Sequence, residues 1–188
     1  MSPADRCILL DRDGVITVIS PEGIKKPEDV QVLPFVPEAL YELTKRGIQT
    51  FVIVHEPLIA DGKMTREDLD AVHKRLRDIL REHDTDVGEF AVATLPDGPA
   101  TPAAKVKAGL LRKVGREHSL NLADSFYVGD EEADLQAAKE AGCKCCIVQS
   151  RRGFRTLRRL ATTGATPDLV TRDLFSAVTK ILATYPNP

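Results

Sequence analysis

Apolar positions fall into two rhythms along the chain: short runs, and longer stretches spaced three and four residues apart. Cys7–Leu10 is a short run that stops abruptly at Asp11. Phe35–Arg46 sets Val36, Leu40 and Leu43 at i, i+4 and i+7, with Pro37 near its start and Gly47 just past its end, which predicts a helix. Thr50–Val54 is β-branched and aromatic and predicts a buried strand. Thr65–Glu82 predicts a helix opened by a threonine with acids in its first turn. Its inner face would be Leu69, Val72, Leu76, Ile79 and Leu80. Glu89–Ala93 follows as a strand. Thr101-Pro102 then predicts an N-cap and a first-position proline, leading a helix to about His118. Further on come strands at Ser125–Val128, Lys144–Val148 and Asp168–Val170. The intervening helices are Glu131–Ala141 (closed by Gly142), Phe154–Thr162 and Asp173–Ala183. The tail Tyr185–Pro188 is expected to fray.

Strands separated by helices of this length mean βαβ units and a parallel sheet. The strands are near-continuously apolar, as they must be when helices cover both faces of the sheet. The expectation is therefore an α/β protein, a three-layer Rossmann-like parallel sheet. The segment Leu95–Pro102 (LPDGPATP) is a loop, too short to separate domains. One domain over residues 1–188 is expected from the length.

Composition narrows the function classes. Twenty-six Lys and Arg against 28 Asp and Glu leave a formal charge of −2, which argues against a nucleic-acid binder of the strongly basic kind. Nucleic acid is thus not the expected partner, and a homo-oligomer is left open. No apolar run approaches the roughly 20 residues that cross a bilayer, and the first ten residues lack a signal-peptide core. A cytoplasmic location is expected. Cys143, Cys145 and Cys146 crowd together far from Cys7, with no second Cys or His cluster to complete a metal site. Free buried thiols are expected, Cys143 and Cys145 on one strand face and Cys146 on the other.

In parallel sheets ligands bind beyond the carboxyl ends of the strands. The residues there are Asp11-Arg12-Asp13-Gly14 after the first strand and His55-Glu56-Pro57 after the second. After the fourth come Gly129-Asp130-Glu131-Glu132-Ala133-Asp134. Asp11 and Asp13, at i and i+2 of an extended segment, would face the same way and repel unless a cation lies between them or one stays protonated. If the first and fourth strands are neighbours, Asp130 and Asp134 join them. An all-oxygen site of this kind suits Mg²⁺, and a helix starting near Glu131 would help hold its negative charge.

LLDRDGVI at Leu9–Ile16 resembles the first motif of the haloacid dehalogenase superfamily of phosphotransferases, and FYVGDEEADLQAAKEAG at Phe126–Gly142 resembles its fourth. The DRDG form is similar to the branch containing histidinol-phosphate and heptose-bisphosphate phosphatases. The resemblance implies a Mg²⁺-dependent phosphatase in which Asp11 attacks phosphorus to form an aspartyl-phosphate, and Asp13 acts as general acid and then base. It implies Mg²⁺ held by Asp11, the Asp13 carbonyl and Asp130, with Asp134 in support. It also implies a lysine that neutralises the nucleophile and phosphoryl oxygens. In AAKVKAGLL (Ala103–Leu111) Lys105 is the first choice and Lys107 the fallback.

The chain departs from that family pattern after the second strand, where Val54-His55-Glu56-Pro57 replaces the usual Thr or Ser. His55 could donate to phosphate, whereas Glu56 would repel it unless paired. The branch's zinc loop has no counterpart in Ala93–Pro102, so no structural zinc is expected. The interval from Asp13 to Ile48 is too short for a cap domain. Lys144, Arg151, Arg152, Arg155, Arg158 and Arg159 form a basic run without an acid, and Arg151 and Arg152 are candidates for a substrate phosphate. The leading expectation is a phosphatase acting on a small phosphorylated metabolite, with a sugar phosphate as the first candidate. A catalytically impaired binder of phosphate or a partner, and a nucleic-acid 3′-phosphatase, are the alternatives.

Overall fold

A computed structural model describes residues 6–184. The tail expected to fray lies outside the described residues. Six parallel strands form one sheet in the order β3-β2-β1-β4-β5-β6: β1 (Cys7–Asp11), β2 (Gln49–His55), β3 (Glu89–Ala93), β4 (Phe126–Gly129), β5 (Lys144–Val148) and β6 (Leu169–Thr171). The order reverses direction between β1 and β4, which pair directly, with Leu10 opposite Val128. A crevice opens at such a reversal, beyond the carboxyl ends of the two strands.

The helices are α1 (Val36–Lys45), α2 (Pro57–Ala60), α3 (Arg66–Arg81), α4 (Ala103–Glu117), α5 (Glu132–Ala141), α6 (Arg151–Thr163) and α7 (Leu174–Thr184). Alternation along β1 separates the two cores. Ile8 and Leu10 pack with the apolar faces of α1, α3 and α7, and Cys7 and Leu9 with those of α4, α5 and α6. Asp11 continues the Cys7–Leu9 parity, so its carboxylate emerges on the α4–α5 side. The cysteines follow the same rule. Cys143 and Cys145 join one core and Cys146 the other, and all four thiols are free and buried.

The expected elements are present with shifts of a residue or two, which is the usual latitude at element ends. Two differences have local causes. Pro102 itself is the N-cap of α4, because the Thr101 hydroxyl is spent on the Pro96 carbonyl. Helix α6 starts at Arg151, three residues before the expected Phe154, because Ser150 Oγ accepts from the N–H groups of Arg152 (3.1 Å) and Gly153 (3.0 Å). The short α2 was not expected. Helix α3 is capped by Thr65 and Asp68, and its inner face holds His73 besides the expected leucines and valine. Among the described residues no helix is long and apolar enough to cross a membrane.

Candidate active site

The acids of β1 and of the β4–α5 turn meet. Oxygen atoms of Asp11, Asp130 and Asp134 lie within 4.8 Å of one another, and all three residues are buried. The spacing Gly129-Asp130-x-x-x-Asp134 has a backbone reason. Asp134 stands at the third position of α5, where its Oδ2 accepts the N–H groups of Asp130 (3.0 Å) and Glu131 (2.9 Å). Glycine is needed at position 129, where a Cβ would run into the Asp134 carboxylate. Gly14 is needed twice over: its φ is +94° and a Cβ there would collide with Asp130 Oδ2.

Lys107 closes the cluster. Its Nζ donates to Asp11 Oδ1 at 3.0 Å and to Asp134 Oδ1 at 2.6 Å, and Tyr127 Oη adds a 2.9 Å bond to the same Asp134 oxygen. Both oxygens of Asp134 are thus hydrogen-bonded by the protein, and it stands with Asp11 and Asp130 in the cluster of acids that could hold a metal ion. It also positions Lys107 and the turn. The first choice for the lysine, Lys105, is corrected: it is exposed, on the far side of α4. A signal for Lys107 existed. It shares a helical stripe with the buried Ala104, Ala108 and Leu111, the face that must meet the sheet.

Burial sets the protonation pattern. It pushes Asp11 up to about 8; Lys107 opposes this, and the neighbouring carboxylates of Asp134, Asp130 and Asp13 add to it. Asp130 is pushed up to about 6 by burial, against the pull of Arg152 and the Ser150 hydroxyl. For Asp134 burial is outweighed by Lys107 and its hydrogen bonds, so it stays below the usual carboxylate range. Lys107 stays charged: burial opposes it, but Asp11 and Asp134 prevail.

The chain leaves strand geometry at Arg12, so Asp13 does not simply repeat the direction of Asp11. Its carboxylate takes both arms of Arg12, Nε at 2.8 Å and Nη2 at 2.9 Å, and the Thr17 hydroxyl at 2.9 Å. Burial would raise Asp13, but Arg12 and these bonds hold it below its ordinary value. The departure after β2 is explained by the same arginine. Arg12 Nη2 reaches Glu56 Oε2 at 3.0 Å, and both side chains are buried, so Glu56 is paired rather than bare. His55 spends Nε2 on the carbonyl of Leu95 (2.8 Å) and ties the β3–α4 loop to β2, which leaves it one ring nitrogen for any other partner.

The basic run divides. Arg159 pairs with Glu132 at 3.2 Å in the open. Arg151 is exposed and lines a cavity of about 510 Å³ with Gly14, Val18, Phe35, Ser150 and Arg172. Arg152 turns inward to the acids: its Nε lies 3.2 Å from Asp130 Oδ2, its Nη1 2.9 Å from Glu131 Oε1, and its Nη2 donates to the Asp13 carbonyl. All three nitrogens of its guanidinium are thus engaged by the acidic turns.

Six carboxyl groups (Asp11, Asp13, Glu56, Asp130, Glu131, Asp134) thus face three cations, Arg12, Lys107 and Arg152. Asp130 Oδ1 is buried without a hydrogen-bond partner. An unpaired carboxylate oxygen in an all-oxygen, acid-rich pocket fits a hard divalent cation.

Carboxylates at the ends of adjacent inner strands, joined by a buried lysine, agree with a HAD-hydrolase-like family model that matches residues 102–177. The chain belongs to the haloacid dehalogenase superfamily and is a phosphatase of that class. Its relatives include a D-glycero-β-D-manno-heptose-1,7-bisphosphate 7-phosphatase of Pseudomonas aeruginosa. The two are 32% identical over 177 residues, which is 93% of this chain and 97% of that one. The D,D-heptose 1,7-bisphosphate phosphatase of Bordetella bronchiseptica, solved with magnesium and phosphate, superposes with a TM-score of 0.84. It is 29% identical, and the match covers 96% of this chain and 99% of that one. The Burkholderia thailandensis D,D-heptose 1,7-bisphosphate phosphatase, 22% identical, shares the fold with a TM-score of 0.72 over 95% of this chain and 99% of its own.

Proposed function

We propose that the protein hydrolyses a phosphorylated sugar with Mg²⁺, through a covalent phosphate on Asp11, and that the heptose bisphosphate of its relatives is the first candidate substrate. One observation carries this reading: Lys107 bridges Asp11 to Asp134 beside the unpaired oxygen of Asp130.

Asp11, the Asp13 carbonyl and Asp130 would hold the ion, whose contribution when bound is to offset the charge of nucleophile and phosphate. Lys107 fixes one oxygen of Asp11 and leaves the other to attack phosphorus as the P–O bond to the sugar breaks. The departing alkoxide takes a proton from Asp13, which then accepts one from the water that attacks the same phosphorus. The bond to Asp11 breaks, and inorganic phosphate leaves. In the Arg12 clamp Asp13 is a carboxylate; an incoming phosphate dianion favours its protonation and so prepares it as the acid. The Glu56–Arg12 pair removes the repulsion that a bare carboxylate after β2 would bring. The adjoining cavity takes the sugar, with Arg151 and Arg172 at its rim for a second anionic group. Four buried free thiols agree with a reducing cytoplasm.

The test is phosphate release with Mg²⁺ over heptose bisphosphate, hexose phosphates, nucleotides and 3′-phosphorylated oligonucleotides. Sugar phosphates are expected to turn over, and Asp11→Asn to lower the rate by at least about a thousandfold while its circular dichroism is unchanged. Turnover retained in Asp11→Asn would remove the covalent route. Silence of the unaltered protein across the panel would favour a binding role.

A further inference from the structure

Arg152 occupies the Asp13 carbonyl oxygen that a divalent ion would need and the carboxylate of Asp130, whose other oxygen is unpaired. Its guanidinium lies on Asp130 Oδ2 and on the Asp13 carbonyl, and its third arm is anchored on Glu131. The placement is built rather than incidental. Ser150 caps α6 through the N–H groups of Arg152 and Gly153 and also donates to Asp130 Oδ2 at 2.6 Å, so the start of the helix is tied to the very carboxylate its arginine contacts. Gly153 keeps the helix close, since a Cβ there would overlap the Val148 carbonyl at the end of β5. Arg158 and Arg159 on the same helix stay at the surface; only Arg152 is drawn inward.

We propose that Arg152 is a displaceable resident cation of this site: its guanidinium and Mg²⁺ are alternative partners of Asp130 and the Asp13 carbonyl, and the ion enters only as the side chain leaves. This rests on the reading that the site takes Mg²⁺. The physical ground is competition at one carbonyl oxygen and for the charge of one carboxylate. Mg²⁺ demands near-octahedral ligands at about 2.0–2.1 Å, closer than any hydrogen-bonded nitrogen, and two cations on one carbonyl oxygen repel. Arginine suits the resident role because its planar fork meets three acceptors at once and is only weakly hydrated. Displaced, it stays tethered one residue from Arg151 at the mouth of the cavity, where it can meet an anion that arrives with the ion.

The experiment measures Mg²⁺ binding by titration calorimetry, together with the Mg²⁺-induced rise in Tm. The proteins are the unaltered chain, Arg152→Gln, Arg152→Lys, Arg155→Gln and Asp130→Asn. Arg152→Gln is expected to bind Mg²⁺ at least about tenfold more tightly, tenfold being about 1.4 kcal/mol. Its Tm without Mg²⁺ should fall and its Mg²⁺-induced rise should grow. Arg152→Lys, which keeps the charge but loses the fork, should fall between. Arg155→Gln removes the same charge one turn along α6 at an exposed position and should change affinity less than twofold, which separates direct competition from a general loss of positive charge. Arg152→Gln equal to the unaltered protein, or matched by Arg155→Gln, overturns the proposal. The metal reading fails separately, if neither the unaltered protein nor Arg152→Gln takes up Mg²⁺. It fails too if Asp130→Asn binds Mg²⁺ as well as the unaltered protein does.

Discussion

Replacing Lys107 by Met keeps the aliphatic stem in the α4 stripe and removes only the ammonium. What remains is Asp134 without its 2.6 Å ion pair and Asp11 without its 3.0 Å one. Asp11, raised by burial to about 8 with no Mg²⁺ bound, takes up a proton readily once Lys107 is gone and so adds little to the imbalance. The loss falls on Asp134, which keeps Tyr127 and two backbone N–H groups but no cation. A stranded carboxylate can always take up a proton, so the penalty has a ceiling. From a starting value of 3.8, protonation at pH 7 costs about 4 kcal/mol, at about 1.4 kcal/mol per unit. Breaking a buried pair from one side typically costs about 3–5 kcal/mol, which agrees. In the variant the folded carboxyl lies above its unfolded value, so the penalty shrinks as pH falls, to about 2 kcal/mol at pH 5. Urea unfolding at the two pH values reads this directly, and the thermal midpoint should drop by roughly 10 °C at pH 7. Lys105→Met, on the exposed side, should lie within about 0.5 kcal/mol of the unaltered protein. A loss below about 1 kcal/mol for Lys107→Met, or an equal one for Lys105→Met, would refute the reasoning.

Two other positions give sharp expectations. His73 is buried, stacked on Phe90 at 4.0 Å, and depressed to about 3 by burial and by Arg12, Arg66 and Arg77. The unfolded chain takes up this proton near 6.5 while the folded protein does not, so stability is lost as pH falls from 6.5 towards 3. His73→Phe should remove about 2 kcal/mol of the loss between pH 7 and pH 5, measured by urea unfolding; an unchanged slope would exclude His73 as its source. Gly14→Ala must place a side chain at φ +94° and against Asp130, so it should cost at least about 1–2 kcal/mol and lower phosphate release, with both read on one preparation.

The sheet, its helices and the convergence of two acidic turns were legible because each rests on local pattern: apolar runs, caps, and acids just after strands. What was missed depends on where long side chains go. The lysine register turned on which face of α4 meets the sheet, and the Ala104–Ala108–Leu111 stripe held that information. The partner of Glu56 is Arg12, 44 positions away, and no spacing connects them. The inward turn of Arg152 depends on Ser150 setting the first residue of α6, and a run of arginines otherwise reads as a solvated surface.

The strand order has a consequence for how such a protein can change. Asp11 and Asp130 hang from the two central strands, whereas His55, Arg151 and Arg172 follow strands farther out. With the roles proposed above, chemistry and recognition are mounted on separate parts of the frame. The outer turns can be exchanged, lengthened or recharged to fit a new sugar while the hydrolytic centre keeps its footing. At one such turn, where His-Glu stands in place of the customary hydroxyl, Glu56 is paired with Arg12 and His55 is tied to the Leu95 carbonyl.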